Sequence, residues 1–138
     1  MTLSRLMGID YGEKRIGIAL SDPLQIIASP FTLIPNNGKE AFSKINQLVV
    51  EENVSLIILG LPLNLAGEDT DKTREVRVFC EKLKNAVKVP VKFWDERYSS
   101  AEAKTALKQM GISSRDNKQH IDKIAASIIL KDYMDNAQ

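Results

Sequence analysis

The chain opens with short apolar runs separated by turn residues. Arg5-Leu6-Met7-Gly8-Ile9-Asp10 ends at Tyr11-Gly12-Glu13-Lys14, and Arg15-Ile16-Gly17-Ile18-Ala19-Leu20 follows. Ser21-Asp22-Pro23 then separates it from a third run over 26–34. Runs of this length bounded by Gly, Pro and Asp read as strands joined by tight turns, which predicts an antiparallel meander. Pro30 cannot donate to a sheet ladder, so the third strand is expected at an edge or a bulge.

The period then changes. From Glu40 to Glu52 the apolar residues Phe42, Ile45, Leu48 and Val49 share one helical face. Leu56-Ile57-Ile58-Leu59 is continuously apolar, as in a strand covered on both faces. A polar stretch, 64–72, leads to a helix carrying Val76, Phe79, Cys80 and Leu83, and a fifth strand is expected over 89–94. Ser99 and Glu102 stand at capping-box spacing before a helix with Ala103, Ala106, Leu107 and Met110, stopped by Gly111. A polar, basic loop over 112–120 precedes a last helix from about Ile121 to Met134. The order β-β-β-α-β-α-β-α-α is that of an α/β protein. Strand–helix–strand crossovers make strands one, four and five parallel, so their C-terminal ends share one sheet edge, where open α/β sheets place their sites.

Composition narrows the chemistry. With 138 residues, 43% hydrophobic and 27% charged, the chain suits one domain, 1–138, around one core. Nineteen basic against 18 acidic residues give a net charge of +1, so a nucleic-acid partner would be held by a local patch rather than a global field. One Cys and one His exclude a disulfide framework and a Cys- or His-rich metal site, leaving carboxylates to carry any catalysis. No apolar run is long enough to span a bilayer and no signal peptide is evident, which predicts a soluble cytoplasmic protein without a membrane partner.

Three stretches deliver polar groups to the shared edge. Strand one ends in Asp10, strand four in the turn Gly60-Leu61-Pro62-Leu63-Asn64, and strand five in Asp95-Glu96-Arg97. Gly12 sits in the turn beside Asp10, where a glycine tolerates unusual dihedrals and a ligand's close approach. On the last helix Asp122 shares a face with Ala125, Ala126 and Ile129, the face expected to pack on the sheet. A carboxylate there is costly unless it is paired or binds a metal. The competing reading makes Asp122 a first-turn acid stabilised by the helix dipole. Its coincidence with Asp10 and Glu96 favours the site. Converging carboxylates without His or Cys suit Mg²⁺ or Mn²⁺, and two such ions roughly 3.5–4 Å apart can clamp a phosphodiester. Alternation lets only one of Asp95 and Glu96 face the site, and the residues leave that choice open. Lys14, Arg15, Arg97, Arg115, Lys118 and Lys123 are candidate nucleic-acid contacts. Cys80 and Trp94 read as packing, His120 as a surface residue and Asp22 as turn chemistry.

Taken together, Gly8-Ile9-Asp10-Tyr11-Gly12-Glu13-Lys14-Arg15-Ile16-Gly17, Gly60-Leu61-Pro62-Leu63-Asn64-Leu65-Ala66-Gly67, Trp94-Asp95-Glu96-Arg97-Tyr98-Ser99-Ser100-Ala101-Glu102-Ala103 and Asp122-Lys123-Ile124-Ala125-Ala126 resemble the YqgF/RuvX family across essentially the whole chain. That resemblance implies an RNase H-like fold, a five-stranded mixed sheet in the order 3-2-1-4-5 flanked by helices. It implies a cytoplasmic bacterial nuclease acting on the 5′ end of precursor 16S rRNA, in contact with ribosomal particles, or on branched DNA as a Holliday junction resolvase. It casts Asp10, Glu96 and Asp122 as catalytic acids and metal ligands. Classical resolvases of this fold carry a Glu at the end of strand four, where this chain reads Gly60-Leu61-Pro62. The strand-five acid would have to substitute, and a one-metal site becomes an alternative to two. Junction resolution needs two symmetric cuts and so a dimer, whereas trimming an RNA end needs only a monomer; a monomer or weak homodimer is expected. A non-catalytic ribosome-associated module and an actin-like phosphotransferase are the competing functions. The latter needs two copies of the fold, and the chain has no internal repeat.

Overall fold

The structure, a computed structural model, describes residues 3–96 and 118–136. Five strands, β1 (Arg5–Asp10), β2 (Arg15–Ser21), β3 (Ala28–Pro35), β4 (Val54–Leu61) and β5 (Val91–Asp95), form one sheet in the order β3-β2-β1-β4-β5. The first three pair antiparallel, and β4 and β5 run parallel to β1. This is the expected topology. Pro30 satisfies both readings offered for it, because β3 is an edge strand and the β2–β3 register shifts where Ala19 meets Pro30. Asp22 closes the β2–β3 turn by accepting the backbone N–H groups of Ile26 and Ile27 at 2.7 and 2.8 Å.

Helices α1 (Lys39–Glu51) and α2 (Asp71–Ala86) link the strands on one side, and α3 (Lys118–Asn136) crosses β1, β2, β3 and β4 on the other. Strand alternation sorts the residues between the two faces. Met7, Ile9, Ile16, Ile18, Ile57 and Leu59, all fully buried, form the main core with Ile45, Val76, Phe79 and Leu83 from α1 and α2. Leu6, Ala19 and Ile58 belong to a smaller cluster under α3, with Ala126, Ile129, Leu130 and Met134. Cys80 is buried in the main core as expected. Trp94 packs under α3, donates its indole N–H to Asp132 at 2.7 Å, and meets the Tyr133 ring edge-on.

The last helix corrects one boundary. It was expected from about Ile121, with Lys118 and His120 in a loop. It starts at Lys118 instead, so both lie within α3. The triplet Lys118-Gln119-His120 carries no apolar residue, and the hydrophobic period therefore gave no sign of the extra turn. Asp122 consequently lies beyond the first turn, in which α3 has no acidic residue, and the dipole explanation of its position loses its basis. The capping box at Ser99 and the helix behind it lie outside the described residues.

Among the described residues no helix is long and apolar enough to cross a membrane.

Candidate active site

Three glycines let α3 lie close to the sheet. A Cβ on Gly8 would stand 2.7 Å from the carbonyl oxygen of Ala126, and one on Gly17 would stand 2.2 Å from that of Asp122. Both obstacles are backbone, so neither could move aside cheaply. The helix sits at this distance only because β1 and β2 carry no side chain there. Gly17 is the register partner of Asp10. The backbone of Asp122 therefore rests directly over the residue paired with Asp10. The face of Asp122, Ala125, Ala126 and Ile129 packs on the sheet as expected, and the small residues that let it approach are on the sheet as much as on the helix.

The third glycine explains the missing strand-four acid. A Cβ on Gly60 would lie 2.7 Å from Oε1 of Glu96 and 2.6 Å from Cδ1 of Ile129. The Glu96 carboxyl, arriving from the end of β5, occupies the space a β4 side chain would otherwise take. Alternation gives the reason: Trp94 packs in the α3 cluster and Phe93 against the main core, so Glu96 shares the α3 face and Asp95 the opposite one. Asp10 falls on the α3 face with Leu6 and Gly8. Of Asp95 and Glu96, left open by sequence, Glu96 is the one beside Asp10 on the α3 face.

The electrostatics agree. The Asp10 carboxyl is held well above its ordinary range, first by burial, then by the negative charge of Glu96 and a hydrogen bond to it, with a smaller contribution from Asp122. Two carboxyls this close repel each other in the doubly charged form, which raises Asp10 beyond the effect of burial. Asp122 is also raised, by burial, with Arg15 and Lys72 opposing. Its Oδ2 lies 3.9 Å from Nε of Arg15, an ion pair rather than a hydrogen bond. Asp10 and Glu96 are therefore a contacting pair, with Asp122 at its rim. Among the described residues no three carboxylates are already gathered as a cage for one ion.

Of the basic candidates, Lys14 and Arg15 border an open cleft of about 490 Å³ together with Gly12, Lys72 and Asp122. Lys123 follows Asp122 on α3 and is half-buried. Arg97 and Arg115 lie outside the described residues, as does the side chain of Lys118. The turn residues have structural roles. Gly12 fits a tight turn in which a Cβ would meet the Arg15 carbonyl oxygen at 2.4 Å, and its own carbonyl accepts the side-chain amide of Asn36. Asn64 accepts the Glu68 N–H at 2.8 Å and closes the loop that leads into α2.

That loop delivers a residue the sequence reading missed. Thr70 caps α2, with Thr73 reciprocating and also donating to the carbonyl of Pro62, which fastens the helix start to the end of β4. Lys72, in the first turn, is thereby set at the sheet edge, where its charge acts on both Asp10 and Asp122. The signal was available in the topology: a helix that follows a parallel strand begins at that strand's C-terminal edge.

A family model described as "RuvX: Holliday junction resolvase" matches residues 4–136. A protein of Syntrophomonas wolfei named "Putative pre-16S rRNA nuclease" is 45% identical over 132 residues, covering 95% of this chain and 94% of its own. One of the same name from Maridesulfovibrio salexigens is 41% identical over 134 residues, covering 96% and 99%. Among solved structures, T. thermophilus RuvC in complex with a Holliday junction substrate superposes with a TM-score of 0.53 over 94% of each chain at 14% identity, a likeness of fold.

Proposed function

The chain belongs to the RuvX family, and from that premise we propose that it is a single-domain, metal-dependent endonuclease that processes the 5′ end of precursor 16S rRNA in the bacterial cytoplasm. The observation that carries this reading is the enclosed Asp10 carboxyl in contact with Glu96, with Asp122 acting on it from α3. Relatives of near-full-length coverage carry the pre-16S rRNA nuclease name, which supports the choice of RNA.

The residues fit a hard divalent cation. Every donor is a carboxylate oxygen, and the mutual repulsion that raises Asp10 against Glu96 is what a cation between them would relieve. Asp10 and Glu96 would hold Mg²⁺ or Mn²⁺, with Asp122 completing the set and Asp95 outside it. Held by these carboxylates, the ion would supply charge neutralisation at a bound phosphate and a lowered pKa for a bound water. The protein supplies the rest. Arg15 holds Asp122 at the rim, Gly60 leaves Glu96 its space, and Lys14, Arg15 and Lys123 would meet the phosphate backbone; Arg97, Arg115 and Lys118 are further contacts on the sequence motif alone. One site per chain suffices to trim an RNA end, so the protein needs no partner subunit for that reaction; ribosomal particles would present the RNA.

A second reading, resolution of Holliday junctions, rests on the description of the matching family. It requires paired cuts and hence a two-fold dimer. One experiment separates the readings. Precursor rRNA and a four-way DNA junction are incubated with the protein and Mg²⁺ or Mn²⁺, with and without chelator, using wild type, Asp10→Asn, Glu96→Gln and Asp122→Asn. The expected result is chelator-sensitive cleavage of the RNA, abolished by Asp10→Asn and Asp122→Asn. Cleavage of the junction alone makes the protein a resolvase. Cleavage that survives in both Asp variants overturns the site, and no cleavage of either substrate leaves a non-catalytic binding module.

A further inference from the structure

The cleft beside the carboxylates is bordered by two cations, Arg15 and Lys72, whose hydrogen-bonding capacity is not used up among the described residues. It lies between the β1–β2 turn and the first turn of α2, and its volume of about 490 Å³ is on the scale of small-ligand sites. Two of its residues stand out. The Nε of Arg15 is buried without a hydrogen-bond partner, its nearest carboxylate oxygen being the Asp122 Oδ2 at 3.9 Å. A buried donor left without an acceptor carries a desolvation cost that a bound acceptor would remove. Lys72 borders the same cleft from α2 and makes no ion pair or hydrogen bond among the described residues, although its charge is felt at both Asp10 and Asp122. Its neighbour Asp71 is taken by Arg74 through a close ion pair on the solvent side. The acids Glu13 and Glu75, which also border the cleft, are exposed.

We propose that Lys72 and Arg15 form a phosphate subsite next to the carboxylate pair, gripping a backbone phosphate adjacent to the one that is cleaved. Arg15 offers a planar guanidinium for a fixed hydrogen-bonded contact, and Lys72 a point charge from the opposite wall. The positive end of α2 adds to the field on the same side. The nucleic-acid strand then runs between the β1–β2 turn and α2, which fixes its path past Asp10. This subsite rests on the nuclease reading and adds Lys72, a residue that composition and motif did not single out.

The test is binding rather than cleavage. A short fluorescein-labelled single-stranded RNA, and in parallel a labelled four-way DNA junction, are titrated with protein in chelator across a series of salt concentrations, and anisotropy gives the affinity. For the better-bound probe, Lys72→Met should weaken binding and make the slope of log affinity against log salt shallower by about 0.7–0.9, the signature of one lost phosphate contact. Lys72→Arg should restore the slope, and Lys88→Met, an exposed lysine in the turn before β5 at the opposite edge, should leave it unchanged. Equal slopes for wild type and Lys72→Met, in a protein that binds and cleaves, overturn the subsite and leave the nuclease reading intact. A wild-type protein that binds neither probe at any salt overturns both.

Discussion

On the side of α1 and α2 the sheet presents Met7, Ile9, Ile16, Ile18, Ile57 and Leu59; on the side of α3 the intervening positions hold Leu6 and Ile58 but also Gly8, Gly17, Ala19 and Gly60. The first face is filled by large aliphatic side chains and does what a core does. The second gives up apolar volume so that a helix backbone can approach and so that a carboxylate, Glu96, can lie over β4. The difference teaches where stability and chemistry are held in this fold. Area burial is concentrated on one face, at roughly 25 cal/mol per Å² of apolar surface. The other face trades that burial for the placement of Asp10, Glu96 and Asp122.

Substitutions on the two faces should therefore separate stability from activity. The largest loss of stability is expected on the aliphatic face. Leu59→Ala, at a fully buried position, should cost about 2–5 kcal/mol in denaturant unfolding. The fraction still folded should keep its divalent-ion affinity. Gly17→Ala comes next. Its Cβ would meet the Asp122 carbonyl at 2.2 Å, and forcing α3 away should cost about 1–3 kcal/mol. Here cleavage should disappear even in the folded protein, because Asp122 moves with the helix.

Gly60→Ala should be milder in stability and severe in function. The atoms in the way are side-chain ends, Cδ1 of Ile129 and the Glu96 carboxyl, so the expected destabilisation is about 1 kcal/mol. Displacing Glu96 should nevertheless weaken Mn²⁺ binding by roughly 10–100-fold. Calorimetric titration on a sample shown to be folded by circular dichroism checks both halves.

The smallest expected effect concerns pH. Asp10 holds its proton more tightly in the folded chain than the ordinary value of 3.8 allows, because of burial and Glu96. The folded state then binds more protons than the unfolded one above that pH. In metal-free protein the resulting stability is complete below the ordinary carboxyl range and is lost as pH rises through the raised value. Asp10→Asn removes this dependence and should make the metal-free protein more stable at neutral pH by roughly 1 kcal/mol. A thermal melting series in chelator from acid to neutral pH reads the slope directly. No flattening in the variant would remove Asp10 as its source.

The aliphatic face was legible from sequence because its signal is periodic. Strand alternation and the helix spacing of Ile45 and Val49 or Val76, Phe79 and Leu83 required no knowledge of tertiary contacts. The site face was legible only in part. Asp10, Glu96 and Asp122 could be named, yet Glu96 could not be preferred to Asp95 until α3 was known to lie on the side of Trp94. The absence of an acid on β4 looked like a defect in sequence. It becomes a provision once Gly60 is seen under the Glu96 carboxyl. The start of α3 escaped because Lys118-Gln119-His120 offers no hydrophobic period, and Lys72 escaped because an exposed lysine on an amphipathic helix looks like any other solvated charge.

The central claim is that the glycine-lined end of the α3 face binds a divalent cation through Asp10 and Glu96. Mn²⁺ titration followed by the electron paramagnetic resonance signal of the free ion tests it most directly. Wild type should take up Mn²⁺ with saturation, Asp10→Asn and Glu96→Gln should each lose that uptake, and Asp95→Asn, on the other face, should retain it. Equal uptake by wild type and Asp10→Asn, or none by wild type, would contradict the account.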